Sequence, residues 1–206
     1  MTLLVRQRRA AVLPPVLLAA LLAGCAPSSS SEPAAPPAPQ TGYHLVEELC
    51  AQLDPQPLVA LNGGTPKTRE WPPRPDRRMS KCTLGASLRD PISMHVLTVS
   101  ASLAESPERA RERLPRQPKP QARGTWHEVP QLGDGAWIWI LPIDEGLEIL
   151  DLSEPVAARH ATLHVARGEI SVMLDLVSTA TEVPDEAETE ALLVTYAEQA
   201  LSLMAP

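Results

Sequence analysis

The first forty residues of the chain cannot contribute to a folded core, and this sets the bounds of everything downstream. Arg6, Arg8 and Arg9 precede an apolar run from Ala10 to Ala23, the charged-then-hydrophobic layout of a secretory signal. The run has 14 residues and is broken by Pro14 and Pro15. A helix needs about 20 apolar residues to cross a bilayer and is disrupted by proline in its interior. Residues 1–24 are therefore expected to be a cleaved signal peptide, not a membrane span. After Cys25 come Ser28 to Ser31 and then Pro33, Ala34, Ala35, Pro36, Pro37, Ala38 and Pro39, a composition that cannot bury a core and favours extended polyproline II. At about 3.1 Å per residue, some 15 such residues reach roughly 45 Å. Residues 25–42 are expected to be a disordered tether, leaving 43–206 for one domain.

The signal ends in Leu22-Ala23-Gly24-Cys25, which resembles the lipobox of bacterial lipoproteins. The resemblance implies that a dedicated peptidase cleaves before Cys25 and that the Cys25 thiol carries a diacylglycerol. Two or more acyl chains hold a protein stably at a membrane, where one holds it only marginally. The expected location is the extracytoplasmic face of the cell membrane, with the membrane itself as first partner.

About 165 residues beyond the tether are enough for one continuous core. Loss of Arg6, Arg8 and Arg9 with the signal leaves 15 basic against 25 acidic residues, so the net charge moves from −7 to −10. Nucleic acid and anionic lipid surfaces are poor partners for such a domain. The basic residues Arg69, Arg74, Arg77, Arg78 and Lys81 do gather, but among so many prolines they read as a solvated loop. Cys50 and Cys82 are the cysteines left once Cys25 carries lipid, and an even pair in an oxidising compartment reads as a disulfide.

From Tyr43 to Leu53, Leu45, Val46, Leu49, Cys50 and Leu53 recur at helical spacing, predicting a first amphipathic helix that Pro55 and Pro57 end. Residues 62–80 hold Gly63, Gly64, Pro66, Pro72, Pro73 and Pro75 and are expected to be a long loop. Period-two alternation then predicts strands from Cys82 to Leu88 and from Ile92 to Leu103, joined at Asp90-Pro91. Ser106-Pro107 caps a short helix over 108–114, and Pro118, Pro120 and Gly124 predict a loop after it. Ala136 to Leu141 is apolar on both faces, as a central strand is. Leu147 to Leu152 is expected to pair with it across a turn at Asp144, Glu145 and Gly146. Ala161 to Ala166 and Glu169 to Val177 form a hairpin through Arg167-Gly168, and Pro184 to Met204 is a long helix with Leu193, Ala197, Ala200 and Met204 on its buried stripe. The predicted order is α-β-β-α-β-β-β-β-α. Short turns between neighbouring strands make this an α+β fold, a mostly antiparallel sheet with the N-terminal and C-terminal helices packed on it.

That order, with Leu49-Cys50-Ala51-Gln52-Leu53-Asp54, the strand opening at Cys82, the turn Gly133-Asp134-Gly135-Ala136 and the Arg167-Gly168 hairpin, resembles the actinobacterial envelope lipoproteins of the domain of unknown function 3558 family, over residues 43–204. Leu84 stands where that family's pattern has tryptophan. The resemblance implies a disulfide-clamped extracytoplasmic domain and transfers no catalytic residue.

No Gly-x-Ser-x-Gly elbow, phosphate loop or dinucleotide fingerprint occurs in the sequence, so neither an enzyme nor a cofactor is expected. His160 and His164 are four apart, but on a strand and without a third ligand, and metal binding is not expected. His44, His95 and His127 read as ordinary sheet or surface residues. Of the acidic pairs, Glu47-Glu48 and Asp185-Glu186 have neighbours that diverge on a helix, and Asp144-Glu145 sits in an expected turn. Trp71 beside Pro72-Pro73 reads as one packed tryptophan pinning a loop. Trp137 and Trp139 share one strand face, which is either covered by the terminal helices and long loops, the blander case, or exposed as a binding surface. The expected function is a binding or sensing module for an apolar ligand or envelope partner; the alternative is a structural or chaperone-like envelope protein without a small ligand.

Overall fold

The computed structural model describes residues 42–72, 78–115, 123–147 and 155–206. The expectations for the signal peptide, Cys25 and the tether fall outside them, as do Arg74, Arg77 and the stretch 148–152.

Two long hairpins make the centre of the sheet. β2 (Met79–Arg89) and β3 (Ile92–Leu103) pair antiparallel from Arg89↔Ile92 to Met79↔Ser102. β7 (Val156–Arg167) and β8 (Ile170–Ala180) pair from Arg167↔Ile170 to Ala157↔Ala180. In that second turn Gly168 has φ 53°, a conformation glycine adopts without steric cost, and its N–H donates to Asp134 Oδ2 at 2.7 Å. β3 pairs with β8, which joins the two hairpins into one sheet. β1 (Thr65–Glu70) extends one side along β2, while β5 (Gly135–Ile140) and then β4 (Thr125–Glu128) extend the other beyond β7. β6 (Asp144–Leu147) lies off this path and also pairs with β7.

One face of the sheet forms the core. Cys82, Leu84, Ala86, Leu97, Val99, Leu174, Leu176, Leu163, Val165, Ala136, Ile138 and Ile140 are all buried on it, as period-two alternation requires. α1 (Leu49–Gln52), α2 (Gln56–Val59) and α4 (Glu186–Leu203) lie over it, with Leu193, Ala197 and Ala200 of α4 and Met204 at its C-cap fully buried. Asp185 and Glu188 form a capping box, the Glu188 N–H donating to Asp185 Oδ1 at 2.8 Å and the Asp185 N–H to Glu188 Oε2 at 3.0 Å, which satisfies backbone donors that would otherwise lack partners. The Leu58 N–H donates to the Tyr196 hydroxyl at 3.3 Å and ties α2 to α4. Burial pushes that phenol's pKa up to about 12. The Cys50–Cys82 disulfide, with Cα atoms 5.2 Å apart, clamps α1 to β2. α3 (Pro107–Glu112) packs on the opposite sheet face, where Ala110 meets Ala104 and Ala166; the Arg109 N–H donates to its Ser106 cap at 3.3 Å.

The fold is α+β and mostly antiparallel as expected, but the element order carries two further strands and one further helix. The first helix is shorter than its apolar spacing suggests. The His44 N–H donates to Met204 O, and the Val46 carbonyl accepts from Ser80 Oγ at 2.8 Å, so this backbone is satisfied by tertiary partners, and short helices are marginal on their own. Val46, Leu49, Cys50 and Leu53 are buried nonetheless. Pro55 and Pro57 end one helix and open another, α2, because proline suits a first helical turn. β1 occupies part of the expected loop. It is exposed at all six positions, so it has no burial period to read, and as an edge strand it tolerates Pro66.

β5 is flanked by β4 and β7, which leaves no edge for the expected pairing of Ala136–Leu141 with 147–152; Leu147 lies in β6, and 148–152 are outside the described residues. Asp144, Glu145 and Gly146 belong to β6, and β6 pairs with β7. β7 has 12 residues and β5 has 6, so β5 leaves part of β7's edge open, and β6 takes it.

Candidate binding face

The sheet face opposite the core carries the tryptophans. On β5, Ala136, Ile138 and Ile140 point into the core, and Trp137 and Trp139 alternate with them, half-buried on the other side. The expected cover by the terminal helices does not occur, because α1, α2 and α4 all pack on the core face. Trp137 sits between Glu128 of β4 and His164 of β7, and Trp139 between Trp126 and Thr162. The rows continue across β8 at Met173, Asp175 and Val177. Met94, Met173 and Val177 are 45%, 37% and 38% exposed. Among the described residues this face is covered by α3 at one end, and cover by the long loops at 116–122 and 148–154 lies outside them; the half-buried tryptophans and the exposed Met173 and Val177 alternate on it with His164, Thr162, His160 and Asp175.

Trp126 stacks on Trp137, ring centroids 5.5 Å apart and planes at 15°. Its Nε1 is buried without a hydrogen-bond partner among the described residues. Trp139 Nε1 donates to the Arg123 carbonyl at 2.9 Å. Gly124, at φ 102°, lets the chain approach there; an added Cβ would run into the Ile140 carbonyl. Trp126 is the member of this cluster that sequence reasoning missed, since it follows the loop expected at Pro118, Pro120 and Gly124 in a stretch assigned to no element. The run Thr125-Trp126-His127 is rich in strand-favouring types and is the signal that could have found it.

His160 and His164 share this face. His160 Nε2 pairs with Asp175 Oδ2 at 3.0 Å. Burial lowers the His164 pKa, partly opposed by Asp175. Asp175 thus acts on both imidazoles, bonded to His160 and through space on His164. Among the described residues, Cys50, Glu70 and Cys82 come close enough to suggest a metal site, but both sulfurs are in the disulfide and offer no thiolate. Glu70 Oε2 instead accepts from the Cys50 N–H at 2.7 Å.

At the other edge, Trp71 packs on β2 with its Nε1 donating to Thr83 Oγ1 at 3.1 Å. Arg69 and Lys81 lie 4.3 and 4.7 Å from its ring centre, so two of the gathered basic residues are engaged in cation–π contact.

On the core face, the expected ordinary sheet residue His95 is buried with both nitrogens bonded, Nε2 to Ser93 Oγ and Nδ1 to Ser178 Oγ, each at 3.0 Å. Asn62 Nδ2 donates to Ser93 Oγ at 3.1 Å. Burial lowers the His95 pKa. Asn62, Ser93 and His95 line a cavity of about 490 Å3 rimmed by Glu182 and Glu188. His127 pairs with Glu190 at 3.0 Å and joins β4 to α4, while His44 is exposed. The acidic pairs do not act as units. Glu47 and Glu48 are exposed, Asp144 and Glu145 are exposed on β6, Asp185 caps α4, and Glu186 accepts from Thr125 Oγ1.

Beside Ser178 in the same row, Arg159 of β7 is 7% exposed. Its Nε and Nη1 are buried without partners among the described residues. Sequence reasoning missed this residue too, because it lies before the point at which the strand was expected to begin.

No protein-family model matches the chain. No curated protein matches it either. Among solved structures it is similar to the extracellular domain of PknH from Mycobacterium tuberculosis, at 10% identity and a TM-score of 0.36, over 78% of this chain and 97% of that one; a likeness this slight carries no functional argument.

Proposed function

We propose that this chain is a lipid-tethered extracytoplasmic binding module whose apolar ligand lies on the open sheet face around Trp126, Trp137 and Trp139. The observation that carries the reading is that face itself. Three half-buried tryptophans, with exposed Met173 and Val177 two strands away, lie on the side that α1, α2 and α4 do not cover and that α3 covers at one end. Contiguous exposed apolar surface marks interaction sites, and tryptophan is enriched among binding hot spots. The signal-like N-terminus, Cys25 and the Cys50–Cys82 bond support placement outside the cytoplasm, where disulfides persist. The resemblance to the domain of unknown function 3558 lipoproteins agrees with that placement. In this reading the domain binds and does not catalyse.

The test is native mass spectrometry of the full chain purified from its own envelope, beside a Trp137→Ala/Trp139→Ala variant. A bound small molecule lost from the variant, with the melting temperature lowered by only a few degrees, supports the reading. A variant that unfolds, or retains the same bound species, opposes it.

A further inference from the structure

The gap that β5 leaves along β7 holds a second feature. β5 pairing ends at Ile140↔Ala161 and β6 pairing begins at Asp144↔Ala158. Between them Arg159 and His160 have no strand partner on that edge, apart from the Leu141 N–H donating to the His160 carbonyl at 2.9 Å. The connection Leu141-Pro142-Ile143 passes over the gap, and a cavity of about 220 Å3 opens there, lined by Arg123, Asp144, Arg159, His160 and Val177. Strand alternation sends Arg159 toward the core side, while His160 and Val177 belong to the tryptophan face. A gap in the sheet is what lets residues from both sides line one cavity.

A buried guanidinium costs free energy unless it is paired. Arg159 is more than nine-tenths buried, with two of its three nitrogens lacking acceptors among the described residues. On its own row it meets Ser178, whose hydroxyl is engaged with His95. Its other lining neighbours include a second arginine, Arg123. His160 is occupied by Asp175, and Asp144 is exposed. Nε and Nη1 are themselves closed to solvent, so an anion in the cavity compensates Arg159 through its charge, which a carboxylate or phosphate supplies, and not through a bidentate fork.

We infer that this gap is an oxyanion site, and that the ligand of the tryptophan face is an amphiphile whose carboxylate or phosphate head is held by Arg159 with Arg123. This rests on the binding reading above and narrows its ligand class. The Trp139 to Arg123 hydrogen bond makes the two regions adjacent, so a head in the gap sets an attached chain beside Trp139 and Val177.

The experiment titrates the full chain, in phosphate-free dodecyl maltoside micelles, with inorganic phosphate, hexyl phosphate and hexanol by calorimetry, and records its melting temperature. Hexyl phosphate is expected to bind at least about tenfold more tightly than inorganic phosphate, the gain coming from apolar burial of its chain, and hexanol not to bind over the same range. Arg159→Met should abolish binding of both phosphates and leave the ligand-free melting temperature equal or higher, since an unpaired buried charge has been removed. Arg159→Lys should restore part of the affinity. Trp137→Ala/Trp139→Ala should keep inorganic phosphate and lose the hexyl advantage. An Arg159→Met chain that still binds phosphate, or that melts lower without ligand, overturns the oxyanion site. Equal affinity for the two phosphates in the wild type overturns the placement of the chain on the tryptophan face and leaves the Arg159 site standing.

Discussion

Trp126 and Trp137 stack at 5.5 Å although they are not cross-strand partners, Trp126 lying opposite Trp139 and Trp137 opposite Glu128. The contact is diagonal across an antiparallel pair, a separation that aromatic side chains can bridge. It gives the four-residue edge strand β4 a reason to stay docked on β5, and it extends the aromatic strip by one ring.

Trp126→Ala should therefore loosen β4. The stacking contribution is about 0.5–1.5 kcal/mol beyond area burial, and the amides of β4 and the partners they take from β5 should exchange faster. Hydrogen–deuterium exchange measures this directly; protection unchanged over Thr125–Glu128 would show that the stack does not hold the strand.

The clamp between α1 and β2 makes a separate claim. Cys50→Ser/Cys82→Ser should lower stability by about 3–4 kcal/mol on the chain-entropy account, read as a fall in urea midpoint. A change below about 1 kcal/mol would mean that tertiary hydrogen bonds such as Ser80 to Val46 O hold α1 unaided.

Removing the Asp185 cap isolates the start of α4. Asp185→Ala is expected to cost about 1 kcal/mol. Because the box is reciprocal, adding Glu188→Ala should cost much less than two independent losses, a coupling that a double-mutant cycle reports.

The buried histidines set a pH dependence. Burial lowers the pKa of His95 and of His164, so below the ordinary histidine value of about 6.5 the unfolded chain binds protons that the folded chain does not. Stability should then be fully present above that value and fall as pH drops through it toward the folded pKa. Urea midpoints between pH 7.5 and 5.5 should show the slope, and His95→Asn should flatten it even if it lowers the whole curve. A slope unchanged in His95→Asn would assign the effect elsewhere.

Which parts of this structure were legible in the sequence follows from how each residue is buried. The hairpins β2–β3 and β7–β8 alternate cleanly because one face of each is in the core, and Gly168 stands at the turn. β1 carries no such trace, since all six of its residues face solvent and its pairing is supplied by β2. β6 was misread as a turn because Asp144, Glu145 and Gly146 are turn-forming types, and the open edge of β7 that recruits them is a tertiary fact. Trp137 and Trp139 could be placed on one face, but which side the helices would take could not be read from their own strand. Arg159 is further still from sequence reasoning, because an arginine at an inward strand position looks like any surface arginine until its neighbours are assembled.

Hydroxyl-radical footprinting of the tryptophans, in intact envelopes and in the purified chain, tests the binding face most directly. Trp137 and Trp139 should be protected in the envelope and become reactive on purification away from the ligand, with Trp71 at the far edge of the sheet unchanged between the two. Equal oxidation of Trp137 and Trp139 in both preparations would contradict the account.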